Sequence, residues 1–129
     1  MLSKLRSLIF LTVISFLAQS AALENASLAS SNNSTFINGP LYIVNDTNIE
    51  TADYPNLEFI NGPIYVVNNA NLTAVNFPKL QYVNGPIFVS NNDSLKSVFL
   101  PKLTFVNGPV SFYANKLMKP VHTLIPPTQ

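Results

Sequence analysis

From Phe36 onward the apolar positions of the chain recur every 23 residues. Adding that interval carries Ile37 to Ile60, Val83 and Val106, and Leu41 to Ile64, Ile87 and Val110. It carries Ile43 to Val66, Val89 and Phe112, and Ile49 to Leu72, Leu95 and Met118. Ala52, Val75, Val98 and Val121 form a further column, as do Leu57, Leu80 and Leu103. Leu41 and Ile43 stand two apart, so on an extended strand both point to one side while Tyr42 points to the other. A register kept without a gap from Phe36 to Val110 makes each copy one structural unit laid on the next. The prediction is an all-β chain, a parallel β-solenoid of about four coils, each 23 residues long, with the apolar columns filling a narrow core along its axis.

The polar positions punctuate the same repeat. All four glycines, Gly39, Gly62, Gly85 and Gly108, stand between an asparagine and a proline. Pro40, Pro63, Pro86 and Pro109 have no amide hydrogen to give to an inter-coil ladder, which places the column at a corner. Glycine there supplies the freedom the bend needs. Pro55, Pro78 and Pro101 mark a second corner. Asn38, Asn61, Asn84 and Asn107 are positioned to bond along the axis as an amide ladder, and Asn45, Asn68 and Asn91 as a second one.

Four segments follow. Residues 1–22 read as a secretory signal peptide, because Lys4 and Arg6 precede the apolar run Leu8 to Ala18 and Ser20, Ala21 and Ala22 follow it. Residues 23–35 form an Asn- and Ser-rich lead-in, with a short capping helix as the alternative. Residues 36–113 are the solenoid, and residues 114–129 an irregular cap or tail. Removing the leader leaves no arginine, five lysines and six carboxylates, a balance that excludes the clustered basic residues of nucleic-acid binding. There is no cysteine, so repeated backbone pairing has to do the work of disulfides. The segment order implies an extracellular, cell-surface or cell-wall location, with no membrane insertion once the leader is cleaved.

Candidate chemistry is sparse. His122 is the one histidine, and Asp46, Glu50, Asp53, Glu58 and Asp93 do not recur as a column. That pattern offers no paired carboxylates for acid–base work, no metal-ligand spacing and no cofactor motif. The expectation is a chain without catalytic residues, bound metal or cofactor. The outward positions are more telling. Tyr42, Tyr65 and Phe88 form one aromatic column, and Phe59 and Tyr82, with Phe36 and Phe105, form another. Such columns either stack ring on ring to support the ladder or present a face to a protein or glycan partner. Sequons at Asn25, Asn32, Asn33, Asn45, Asn71 and Asn92 make N-glycosylation an expectation, with the last three expected in the Asn-rich turn of successive coils. Charge is sorted along the axis: Asp46, Glu50, Asp53 and Glu58 in the first coil, and Lys96, Lys102, Lys116 and Lys119 in the last two. That distribution suits head-to-tail self-association through open solenoid ends.

The unit, an apolar residue two before Gly, Leu/Ile-x-Ile/Val after it, an Asn-rich turn, then Leu and x-Pro-x-Leu, resembles the receptor L-domain family. The nearest segments are N-N-A-N-L-T-A-V-N-F-P-K-L, from Asn68 to Leu80, and N-N-D-S-L-K-S-V-F-L-P-K-L, from Asn91 to Leu103. That family includes the ligand-binding lobes of insulin and epidermal growth factor receptors and secreted or wall-anchored fungal proteins. The resemblance implies an extracellular right-handed β-helix with leucine-rich-repeat-like coils and no catalytic activity. Two other readings stay open: a carbohydrate-active β-helix enzyme, which a groove lined by carboxylates would support, and a fragment of a longer repeat protein.

Overall fold

The computed structural model describes residues 33–119 and 122–123. The leader, most of the lead-in, and Val121 of the apolar columns lie outside that range. Each turn of the chain contributes three short strands. β1 (Phe36–Ile37), β2 (Leu41–Val44) and β3 (Thr51–Asp53) belong to the first level, and β4 (Phe59–Ile60), β5 (Ile64–Val67) and β6 (Ala74–Asn76) to the second. β7 (Tyr82–Val83), β8 (Ile87–Ser90) and β9 (Ser97–Leu100) form the third, and β10 (Phe105–Val106), β11 (Val110–Tyr113) and β12 (His122–Thr123) the fourth. Corresponding strands pair in parallel into three four-stranded sheets, ordered β1-β4-β7-β10, β2-β5-β8-β11 and β3-β6-β9-β12. The result is a parallel β-solenoid of about three turns, with no helix among the described residues.

The pairing keeps the sequence register throughout. Ile64 lies opposite Leu41 on one side and Ile87 on the other, and Phe59 lies between Phe36 and Tyr82. Like residue therefore covers like residue at each step, and the core is a stack of apolar layers. Ile60, Ile64, Leu72, Leu80, Val83, Ile87, Leu95 and Leu103 are all buried in it. Ile49, Val106, Phe112 and Met118, all on the first or last level, pack against it while partly exposed. One inward column was not anticipated: Tyr54, Phe77 and Leu100 are buried too. They stand two residues after Ala52, Val75 and Val98, so strand alternation carries them to the same side. The rings of Tyr54 and Phe77 stack at 4.9 Å, and burial pushes the Tyr54 phenol well above its ordinary range.

Three corners close each turn. At the Asn-Gly-Pro corner proline contributes its carbonyl to the ladder: Leu41 N–H donates to Pro63, Ile64 to Pro86 and Ile87 to Pro109 at 2.9–3.0 Å. The gap expected at this column is thus confined to the missing donor. The second corner turns on Asn45, Asn68 and Asn91, with φ of 55°, 59° and 56°. This is the left-handed region, which asparagine tolerates better than other residues with a side chain. Ala114 takes the same turn at φ 53° in the fourth copy, where the repeat begins to fade. At the third corner Leu80 N–H bonds back to Phe77 and Leu103 to Leu100, each 3.4 Å, around Pro78 and Pro101. Proline suits that place in a tight turn because its φ is already set.

Candidate functional site

The outer surface of the first two sheets carries every aromatic residue that the sequence marks as a contact candidate. On the first sheet Phe36, Phe59, Tyr82 and Phe105 stand outward because Ile37, Ile60, Val83 and Val106 turn inward. On the second, Tyr42, Tyr65 and Phe88 stand half-buried between pairs of buried neighbours, and the column stops at Ser111. Between the two columns in the chain runs an exposed amide ladder at the Asn-Gly-Pro corner. Asn61 Nδ2 donates to Asn38 Oδ1 at 2.9 Å, Asn84 to Asn61 at 2.8 Å and Asn107 to Asn84 at 2.9 Å.

The rings are stacked against one another. Centroids lie 4.6 Å apart for Phe59 and Tyr82 and 4.5 Å for Tyr82 and Phe105, with planes 3° and 9° apart. Phe36 and Phe59 stack at 5.2 Å, Tyr42 and Tyr65 at 5.4 Å, and Tyr65 and Phe88 at 5.6 Å. An interior ring therefore has its faces covered by the rings above and below and shows its edge outward. Burial, and next the neighbouring Tyr42, push the Tyr65 phenol above its ordinary range. The surface presented is a pair of ring-edge stripes carrying Tyr hydroxyls, with amides at the corner between them. Ring-on-ring support of the ladder, one of the two roles expected of these columns, is what the geometry shows directly.

A second, deeper ladder escaped the sequence reading. Asn69 and Asn92 are fully buried and Asn115 partly so, one residue after the column expected to play this part. Asn92 Oδ1 accepts from the backbone N–H and from Nδ2 of Asn69, both at 3.0 Å. Asn92 Nδ2 donates to the carbonyls of Val66 and Ser90 and to Asn115 Oδ1. Asn115 Oδ1 also takes the Asn92 backbone N–H at 3.1 Å. The neighbouring column makes the rung from Asn68 to Asn45, at 3.2 Å and on the surface. In the second and third copies two adjacent asparagines look alike in sequence, and the left-handed φ of the first turns the second inward.

That burial changes the reading of one sequon. Asn92 has 0% exposure and every polar atom of its side chain is engaged, so a glycan on its Nδ2 and this fold are mutually exclusive. Asn92 is corrected from a candidate glycosylation site to a structural one. Asn71 is exposed with Nδ2 on the Thr47 carbonyl, Asn45 half-exposed, and Asn33 exposed; Asn25 and Asn32 lie outside the described residues. In a host that glycosylates exported chains, site mapping by mass spectrometry is expected to find Asn92 unmodified. A glycan recovered on Asn92 from folded protein would overturn the buried ladder.

Three of the carboxylates serve local structure. Asp46 accepts the backbone N–H groups of Asn48 and Ile49, Asp53 takes the Asn76 amide, and Asp93 meets Lys116 at 2.7 Å. The last pair is exposed on both sides and contributes little. Among the described residues no three acidic, histidine or cysteine side chains gather where they could hold a metal ion. Among the described residues there is no helix long and apolar enough to cross a membrane.

Compared with models of known protein families, with curated proteins and with solved structures, the chain matches none.

Proposed function

We propose that this chain is a non-catalytic binding module of the cell exterior, an L-domain-like solenoid that docks a protein partner through its aromatic stripes and the amide ladder between them. The observation that carries the reading is the repetition of half-exposed rings, Tyr hydroxyls and exposed amides at successive levels of one surface. Aromatic residues with polar tips are enriched where proteins meet, because a large rigid contact area comes with little loss of rotamer freedom. The orientation of the rings selects between protein and glycan. A sugar ring packs its C–H groups on the electron-rich face of an aromatic ring, and here the interior faces are occupied by neighbouring rings. Edges, hydroxyls and amides suit the mixed polar and apolar chemistry of a protein surface. The apolar leader, the sequons and the L-domain-like unit support placement outside the cell.

A screen of the full-length chain against extracellular proteins and a glycan array tests this directly. Tyr65→Ala, at the centre of its stripe, is expected to weaken the selected protein partner about tenfold, as removal of a central aromatic anchor does. A thermal melt run alongside separates lost contact from lost fold. Binding confined to glycans, or a partner indifferent to Tyr65 and Tyr42, would turn the reading down.

A further inference from the structure

We propose that copies of this chain associate head to tail, the first level of one copy stacking on the fourth level of the next in the same 23-residue register that joins levels within the chain. The proposal concerns the ends of the solenoid and does not depend on the side-surface reading above. Its starting point is where apolar surface is left over. Among the described residues the exposed large hydrophobic side chains are Phe36, Phe99, Phe105, Tyr113 and Leu117, and four of these five belong to the first or last level. Phe36 is 48% and Phe105 43% exposed, while Phe59 and Tyr82 between them are half-buried. Among the described residues each terminal ring stacks on a single neighbouring ring, Phe36 on Phe59 and Phe105 on Tyr82.

Continuing the register by one step brings β1, β2 and β3 of the incoming copy onto β10, β11 and β12 of the first. The columns then match almost throughout. Phe36 stacks on Phe105 as Tyr82 does within the chain, and Asn38 extends the exposed amide ladder beyond Asn107. Ile49 covers Met118, both of which sit at the margin of the core in the single chain. Glu50 of the incoming copy faces Lys119, since both occupy the column shared with Thr73 and Lys96. An opposite-charge pair one level apart is already present as Asp93 and Lys116. The acidic first coil and basic last levels are thus complementary at this step, which favours the head-to-tail arrangement over head-to-head or tail-to-tail ones.

One column sets the strength of the junction. Asp46 would meet Asn115, and its carboxylate can accept the N–H groups that Asn115 directs along the axis, as Asn92 accepts those of Asn69. Asn69, Asn92 and Asn115 each also send an Nδ2–H to a carbonyl one level below, those of Ile43, Val66 and Val89. A carboxylate has no such hydrogen, so the Phe112 carbonyl goes without that donor. The junction is therefore weaker than a step inside the chain, and the association is reversible.

Sedimentation velocity of the full-length chain over a range of concentrations, at low and high salt, tests this. The expected result is a mass that grows with concentration and shrinks with salt. Glu50→Lys and Lys119→Glu are each expected to weaken the association about fivefold, and the double variant to restore it. Asp46→Asn supplies the missing donor and is expected to strengthen it by a similar factor. A monomer at every concentration and salt, with the ends covered by the chain's own remaining residues, overturns the proposal. So does an association that neither charge reversal nor Asp46→Asn alters.

Discussion

Replacing Gly62 with alanine is expected to cost the fold about 3 kcal/mol or more, at the upper end of what overpacking does. A Cβ at Gly62 would lie 2.5 Å from the Gly39 carbonyl carbon, 2.6 Å from its oxygen and 2.7 Å from Pro40 N. All three are backbone atoms, and none can swing aside as a side chain would. Their position is fixed by the ladder on both sides: Gly39 N–H donates to Asn61 at 3.1 Å and Asn61 N–H to Ile37 at 2.8 Å. The only relief is to part the two levels, which loosens the Phe36–Phe59 stack and the Asn38–Asn61 rung together. Gly85→Ala belongs to the same class, with the added carbon 2.6 Å from Pro63 N. Urea unfolding followed by circular dichroism measures the loss, which for a domain of this size corresponds to a thermal midpoint lowered by more than about 10 °C. A Gly62→Ala chain within about 1 kcal/mol of the parent would mean that the levels do not approach this closely.

The glycine column also shows what the sequence made legible and what it hid. Recurrence of Asn-Gly-Pro at a fixed interval located the corner, and the alternation of Leu41, Tyr42 and Ile43 fixed which side of the strand faces the core. Both are one-dimensional patterns, and both survive translation into structure because the solenoid repeats in one dimension. The reason for each glycine was different and could not be read from the string. Gly39 and Gly108, at the two ends, have φ of 131° and 147° and use the freedom assumed for all four. Gly62 and Gly85, in the middle, are needed because a neighbouring backbone passes too close for any side chain. Contact between levels decides this, and contact is invisible in a single copy of the repeat.

The candidate surface divides in the same manner. Outward placement of Tyr42, Tyr65 and Phe88 followed from strand alternation, Phe59 and Tyr82 were marked by their recurrence as a column before the corner, and the structure has all five half-buried on the outer side. The direction of the ring planes did not follow, because it depends on side-chain torsions set by packing against the next level. That orientation is what moves the proposal from sugar to protein. Tyr54 and Phe77 were legible by the same alternation yet hidden by the Pro55 and Pro78 that follow them, which drew the column toward the turn.

Asn92→Ala is expected to destabilise the chain by about 4 kcal/mol, because truncation leaves several buried groups without partners at once. The Asn69 backbone N–H and Nδ2 lose their acceptor, Asn115 Oδ1 and the Val66 carbonyl lose the Asn92 amide, and the Ser90 carbonyl is left with the Asn68 N–H. Asn92→Asp is the sharper test, since shape is kept and only hydrogen-bonding capacity and charge change. The carboxylate retains the acceptor facing Asn69 but has no hydrogen for Val66, Ser90 or Asn115, and burial without a counter-charge raises its pKa in the folded state. A raised acid pKa fixes the sign of the pH dependence: the penalty is least below the ordinary carboxyl range near pH 4, where the group is protonated in both states. It grows as pH rises through that range toward the folded-state pKa. The gap in urea midpoint between Asn92→Asp and the parent should therefore be wider at pH 7 than at pH 3, whereas the gap for Asn92→Ala should hardly move. Equal gaps at both pH values would show that the position is wetter than its geometry implies. The chain itself contains the matching control. Asp46 occupies the same column at the first level, where no described strand lies beneath to require a donor, and its carboxylate is satisfied by the N–H groups of Asn48 and Ile49. Aspartate is thus accommodated at the end of the ladder and excluded from its interior, and the difference is one missing hydrogen per level.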